Sequence, residues 1–173
     1  MPSPSRMPNP SSLASRLPTW QDLADDPRAI RHGMNLWPPF RFAGIRVREI
    51  SPDWRRARVE LLRRASNRNF VGTQFGGSMF AMTDPFWMIL VMQNLGRDYV
   101  VWDKAGEIEF VRPGRTALHA EFVVTEELLE DLRARAADGS KVLHWCETDV
   151  VDEGGEVVAR VRKQLYVRRK RRD

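Results

Sequence analysis

Four positions within sixteen residues carry chemistry that their types and spacing could put to use: Asn69, the pair Gly76-Gly77, and Asp84. Two glycines at the head of an apolar segment let a ligand approach the backbone closely, because no Cβ stands in the way. The first N–H groups of a helix have no partners within it and attract negative charge. Such amides can hold a carbonyl oxygen that is becoming an oxyanion. Asp84 follows Gly77 by seven residues, two helical turns, which keeps it near the same face of a continuous helix. A carboxylate there could be a nucleophile or could activate water. Asn69 could orient that water or the carbonyl. Each residue also has a plainer use. Gly76-Gly77 could simply allow tight packing, Asp84-Pro85 could cap a second helical stretch, and Asn69 could fold its own loop.

The elements that must position these residues follow from periodicity. Residues 1–18 hold five Pro and five Ser and read as a disordered leader. Thr19 reads as the N-cap of a helix that Gly33 would stop, and Leu36, Trp37, Phe40 and Phe42 form an apolar clamp around Pro38-Pro39. Together these make a helical extension over 19–43. From Gly44 the period is two. Ile45 and Val47 alternate with Arg46 and Arg48, and Ala57, Val59 and Leu61 with Arg56, Arg58 and Glu60, across a Ser51-Pro52-Asp53 turn. After an Asn- and Gly-rich loop, Ser78 to Leu95 is apolar on nearly every side, as expected of a buried central helix. Strand patterns follow at 99–112, 116–125, 140–151 and 156–167, with a helical stretch from Glu126 to Ala137 and a turn at Asp152-Glu153-Gly154-Gly155. The sum is an α+β chain: a hairpin, one buried helix, then a four-stranded antiparallel meander. Six strands curled around one apolar helix make the hot-dog architecture, here spanning 44–168 with a basic tail at 169–173.

Composition narrows the function. The chain has 173 residues, 42% of them hydrophobic, enough for a core. Its net charge of +5 sits at the ends: the last six residues carry +4 and the first eighteen +2, leaving 19–167 at −1. A basic tail of that kind is usually a solvated terminus, so no specific nucleic-acid partner is expected. The single cysteine, Cys146, excludes an internal disulfide and fits a reducing, cytoplasmic compartment. One Cys and three scattered His point away from a metal site, and no cofactor is implied. No apolar run is long enough to span a bilayer, and the N-terminus lacks the apolar core of a secretion signal. Cys146 reads as a buried small side chain, and His119 and His144 have no attached nucleophile motif.

Asn69, Phe75-Gly76-Gly77 and Asp84 resemble the signature of the hot-dog acyl-CoA thioesterases of the phenylacetate-degradation type. In that family an Asn precedes a His-Gly-Gly by six residues, and an Asp stands nine after the His. Both spacings recur here, with Phe75 in place of the His. The wider run from Gly72 to Pro85, with Val101-Trp102-Asp103-Lys104-Ala105 and Arg112-Pro113-Gly114, is similar to a bacterial hot-dog branch of unknown function, often labelled tetrameric acyl-CoA thioesterase. The resemblance covers roughly 35–168. It implies hydrolysis of acyl-CoA or acyl-carrier thioesters at a site shared between the subunits of a homodimer or homotetramer. Asp84 would be base or nucleophile, the Gly77 N–H would polarise the carbonyl, and Asn69 would orient water. Gly76, Phe75, Ser78 and Lys104 complete the candidate substrate-binding set. Lys104 has two readings, a cation near Asp84 or the CoA phosphates, or a surface pair with Asp103. Phe75 leaves a second functional reading open, a non-catalytic acyl-binding or scaffold protein. An acyl dehydratase of this fold ranks last, since 69–95 contains no His.

Overall fold

The structure, a computed structural model, describes residues 25–171. The expected leader and the Thr19 cap lie outside that range. Helix α1 spans Pro27–Leu36, with Pro27 in its first turn and the Asp26 side chain accepting from the Arg28 N–H at 2.8 Å. Ile30 and Met34, one turn apart, are buried. The helix runs through Gly33 rather than stopping there. It ends where Trp37, preceding Pro38, takes an extended backbone. The clamp is a short helix, α2 (Pro38–Ala43), which buries Phe40 and leaves Leu36, Trp37 and Phe42 exposed.

The strands are β1 (Ile45–Ile50), β2 (Arg56–Leu61), β3 (Tyr99–Phe110), β4 (Leu118–Val123), β5 (Val142–Asp152) and β6 (Val157–Arg169). They form one antiparallel sheet in the order β1-β2-β4-β5-β6-β3. The expected four-strand meander is therefore corrected. Only β4, β5 and β6 run as neighbours, while β3 crosses to the far edge and pairs with β6 alone among the strands. The 111–117 link explains this. It is no tight hairpin turn, and its backbone is fastened elsewhere: the Val111 and Arg112 N–H groups donate to the Val158 carbonyl, and the Gly114 carbonyl accepts from Gln74. At the other edge, the Asn35 carboxamide both accepts from the Val47 N–H (2.8 Å) and donates to its carbonyl (3.0 Å), covering part of β1 as a strand would.

The sheet curls around an apolar rod, the hot-dog fold. The rod is two helices, α3 (Gly76–Ala81) and α4 (Phe86–Leu95), rather than one. Pro85 interrupts the helical hydrogen bonding, and the link tightens into three-residue turns, with Thr83 N–H on the Phe80 carbonyl and Asp84 N–H on that of Ala81. Met79, Met82, Phe86, Trp87, Leu90 and Val91 are buried under the sheet. Each such side chain contributes roughly 1.5–3 kcal/mol through burial. Phe86 stacks on Phe122 at 5.0 Å, and the Trp87 indole N–H reaches the Thr148 hydroxyl at 2.7 Å, so the one polar atom of that ring is satisfied in the core. Helix α5 (Glu126–Arg135) is capped by the Thr125 hydroxyl and closes the β4–β5 connection.

Candidate active site

The residue that organises the site is one that the motif does not contain. Along β6, Val161, Lys163, Leu165 and Val167 share the inward face of the strand, and all four are buried. Only 5% of the Lys163 side chain is exposed. Its register partners are Cys146 on β5 and Gly106 on β3. Gly106 is what gives it room. A Cβ there would lie 2.7 Å from Cζ of Phe80 and 3.2 Å from Cδ of Lys163, closer than packed carbons come. The ammonium ends 5.2 Å from the centroid of the Phe80 ring, within cation–π range.

From there Lys163 Nζ donates to Asp84 Oδ1 at 2.6 Å and lies 3.5 Å from Asp103 Oδ2. Asp84 stands in the α3–α4 link with 62% of its side chain exposed. Asp103 is 21% exposed, and its buried Oδ1 has no hydrogen-bond partner. Burial pushes the Asp103 carboxyl above the usual carboxylate range and the Asp84 charge adds to this, while Lys163 pulls it back. Cys146 is buried beside the cluster. Burial, with Asp103 adding, raises its thiol to about 12, so it is protonated and no nucleophile.

A break in the β3–β6 register between Asp103 and Ala105 separates two neighbours on β3. Asp103 turns toward Lys163, and Lys104 is left exposed. The Asp103–Lys104 surface pair is thus corrected: the lysine that Asp103 meets is Lys163.

The glycines head α3 and lie between two aromatic rings. A Cβ at Gly76 would sit 2.7 Å from Cζ of Phe110, and one at Gly77 would drive into the Phe75 ring. The first helical bonds are donated by the Ser78 and Met79 N–H groups to the Phe75 carbonyl, at 3.0 and 3.1 Å. The Gly76 and Gly77 amides come before them. With six residues, α3 offers local N–H groups rather than a long aligned dipole. Ser78 is buried and Phe75 exposed. The loop ahead of the glycines is tied to the sheet by Gln74, whose side-chain amide donates to the Thr116 carbonyl at 3.0 Å, and by the Phe75 N–H on the Asn67 carbonyl.

Asn69 shapes that loop. Its Oδ1 accepts from the Val71 and Thr73 N–H groups at 3.1 and 3.0 Å, and its Nδ2 donates to the Thr73 hydroxyl at 2.8 Å. Asn69 and Gly76 line one open cleft of about 430 Å3, with Thr73, Met79, Phe110 and Arg112. Asp84, Gly77 and Lys104 are not in its wall. Of the motif residues, Asn69 and Gly76 line that cleft, and Asp84 stands with Lys163 and Asp103. What the motif lacks is Lys163, Asp103 and Gly106. One signal was available: a lysine at a position where period two calls for an apolar side chain. Among the described residues, no group of three or more His, Cys, Asp and Glu is placed to hold a metal ion. No helix among them is long and apolar enough to cross a membrane.

Comparison with known proteins gives a family and the fold. The profile of a family described as "Domain of unknown function (DUF4442)" matches residues 28–167. Among solved structures, the chain is similar to a Pseudomonas aeruginosa protein of unknown function described as a probable thioesterase. The TM-score is 0.71 at 22% identity, over 90% of this chain and 99% of that one. It is also similar to a Chlorobaculum tepidum protein of unknown function (TM-score 0.66, 14% identity, 86% and 99% covered). A third is a Haemophilus influenzae thioesterase (TM-score 0.60, 12% identity, 83% and 90% covered). No curated protein matches the chain.

Proposed function

The chain belongs to the DUF4442 family, and from the site it carries we propose that it hydrolyses acyl thioesters, with Asp84 as the reacting carboxylate. The observation that carries this is the Asp84–Lys163 pair. An exposed carboxylate is anchored by a buried ammonium at the break in the central helix, just after the glycine-headed turn. The description of two similar structures as thioesterases supports the reaction class.

The proposed step is general-base hydrolysis. Asp84 takes a proton from water as the water oxygen bonds to the thioester carbon. The carbonyl oxygen becomes an oxyanion held by the Gly77 N–H. The oxyanion then re-forms the carbonyl as the C–S bond breaks, and the sulfur takes the proton from Asp84. The products are one acid and one thiol. Asn69 keeps the loop in shape, and Gly76, Phe75 and Ser78 border the bound group. The thiol half is CoA or an acyl carrier.

Phe70, Val71, Phe75, Trp102, Phe110 and Val111 are exposed large apolar residues on the motif loop and along β3. We assign them to a homo-oligomer contact, dimer or tetramer, with the acyl chain against the same surface. β3 is an edge strand and supports such pairing.

A specific observation favours the second reading, a non-catalytic acyl-binding protein: the Phe75 ring packs on Gly77, where the resembling family has a His. Thiol release from a panel of acyl-CoA and acyl-carrier thioesters separates the two. The wild type is expected to turn over at least one, and Asp84→Asn to lose about 10²–10⁴-fold in kcat. Binding without thiol release by the wild type would decide for the second.

A further inference from the structure

Resting on the thioesterase reading, we propose that Lys163 is the positioning residue for Asp84, and that Asp103 is its alternate counter-ion. The ammonium passes to Asp103 while Asp84 carries the proton of the attacking water.

The distribution of bonds in the cluster argues for this. An ammonium has three N–H donors, and a cluster built for stability would use the shortest bond on the most buried acid, where an unpaired charge costs most. The reverse is seen. Lys163 makes its 2.6 Å bond to the exposed carboxylate of Asp84 and stands 3.5 Å from the more buried Asp103, whose Oδ1 has no partner at all. The lysine stem is held between Gly106 and Phe80, so a small swing of the ammonium, not of the chain, moves it between the acids. The groups facing Asp103 are few: Lys163 from β6, Asp84 from the helix link and the protonated Cys146 thiol from β5.

The charge balance follows from the reaction. When Asp84 accepts the water proton it becomes neutral, and a buried ammonium would lose its counter-charge as the oxyanion forms. Asp103, whose Oδ2 lies 3.5 Å from the ammonium, takes over. When the proton leaves Asp84 for the departing sulfur, Lys163 returns. The upward push on the Asp103 acid, and its link to the Asp84 charge, agree with two carboxylates competing for one cation.

Asp103→Asn and Lys163→Met test this, each checked for folding by thermal unfolding. In Asp103→Asn, Lys163 serves Asp84 alone. The expected result is a kcat about tenfold lower with KM within about twofold. In Lys163→Met, Asp84 has lost its anchor, and kcat falls at least as far with KM again within about twofold. Rescue of kcat by Asp103→Glu, which restores the acid, distinguishes this role from a folding defect, which lowers the unfolding midpoint along with the rate. An independent reading is carboxylate carbon NMR of protein labelled at Asp Cγ. The titration of Asp103 should move to lower pH in Asp84→Asn. A kcat unchanged in both variants of an active enzyme would overturn the proposal while leaving the thioesterase reading intact. If the wild type releases no thiol, that reading fails by itself, and NMR decides the pairing: an Asp103 titration untouched by Asp84→Asn overturns it.

Discussion

Arg162 and Lys163 are adjacent in sequence and face opposite sides of one strand, and they show what the two faces of this sheet are for. On the outer face Arg162 reaches Glu107 on β3 at 3.1 Å and Glu147 on β5 at 3.4 Å. The same arrangement recurs between Arg160 and Glu109 or Asp149, between Arg58 and Glu49, and between Arg48 and Glu60. β6 sets its arginines against acids on β3 and β5, and β1 and β2 set arginines against each other's acids, which favours the observed register. Most of these side chains are well exposed, so water can replace any one pair. On the inner face Lys163 lies among Val161, Leu165 and Phe80, and it is the one buried Lys or Arg among the described residues. There the ammonium cannot exchange its partners for bulk water. Depth, not ion-pair geometry, separates a redundant ladder from a fixed site.

The sharpest way to break that comparison is Lys163→Ala. It removes a buried aliphatic stem, leaves a gap beside Phe80 and strands Asp103 with no cation. The expected cost is about 2–4 kcal/mol, read from urea unfolding. The figure stays at the low end of what breaking a buried pair costs because Asp84 is largely solvated and loses little. A cost no larger than that of a surface arginine would show that depth is not the deciding quantity.

Gly106→Ala probes the same pocket from the other side. The added methyl meets the Phe80 ring and the Lys163 stem. Phe80 can turn aside in part, so the expected cost is about 1–2 kcal/mol in unfolding free energy. Activity should fall further than stability, because the methyl displaces Lys163 from Asp84. Equal stability and full activity would mean that the pocket is looser than its distances imply.

Much of this was legible in the residues. Period two locates all six strands to within a few positions, and Asp152-Glu153-Gly154-Gly155 makes its turn, with Asp152 Oδ1 accepting the Gly154 and Glu156 N–H groups. Strand order was not legible, because alternation says which face a residue takes and not which strand lies beside it. β3 alternates well and still crosses the whole sheet. The central rod reads as one helix because its apolar run is continuous. Pro85 divides it, and the division leaves Asp84 exposed in the link. Asn69, a candidate for chemistry and for folding its own loop, holds that loop through both ends of its amide. Lys104 drew attention as a charge interrupting an apolar strand, but the irregularity at Asp103–Ala105, which no pattern announces, leaves it outside and turns its neighbour in. Lys163 was readable as a charge out of phase in Val161-Arg162-Lys163-Gln164-Leu165. Its partners were not, since they come from two other elements.

The smallest expected effect belongs to the outer face. A double-mutant cycle on Arg162 and Glu107 should give a coupling of about 0.2–1 kcal/mol at low salt. The cycle is needed because Arg162 also lies 4.7 Å over the Trp145 ring, and the single substitution removes that contact too. In 1 M NaCl the screening length falls to about 3 Å, and the coupling should vanish. The corresponding cycle on Lys163 and Asp84 should keep most of its value, because little electrolyte reaches an ammonium shielded by Phe80 and the sheet. A coupling at Arg162 that survives high salt, or one at Lys163 that does not, would invert the assignment of the two faces. If the cycles behave as expected, the outer ladder sets strand register while the inner ion serves the Asp84 and Asp103 carboxylates.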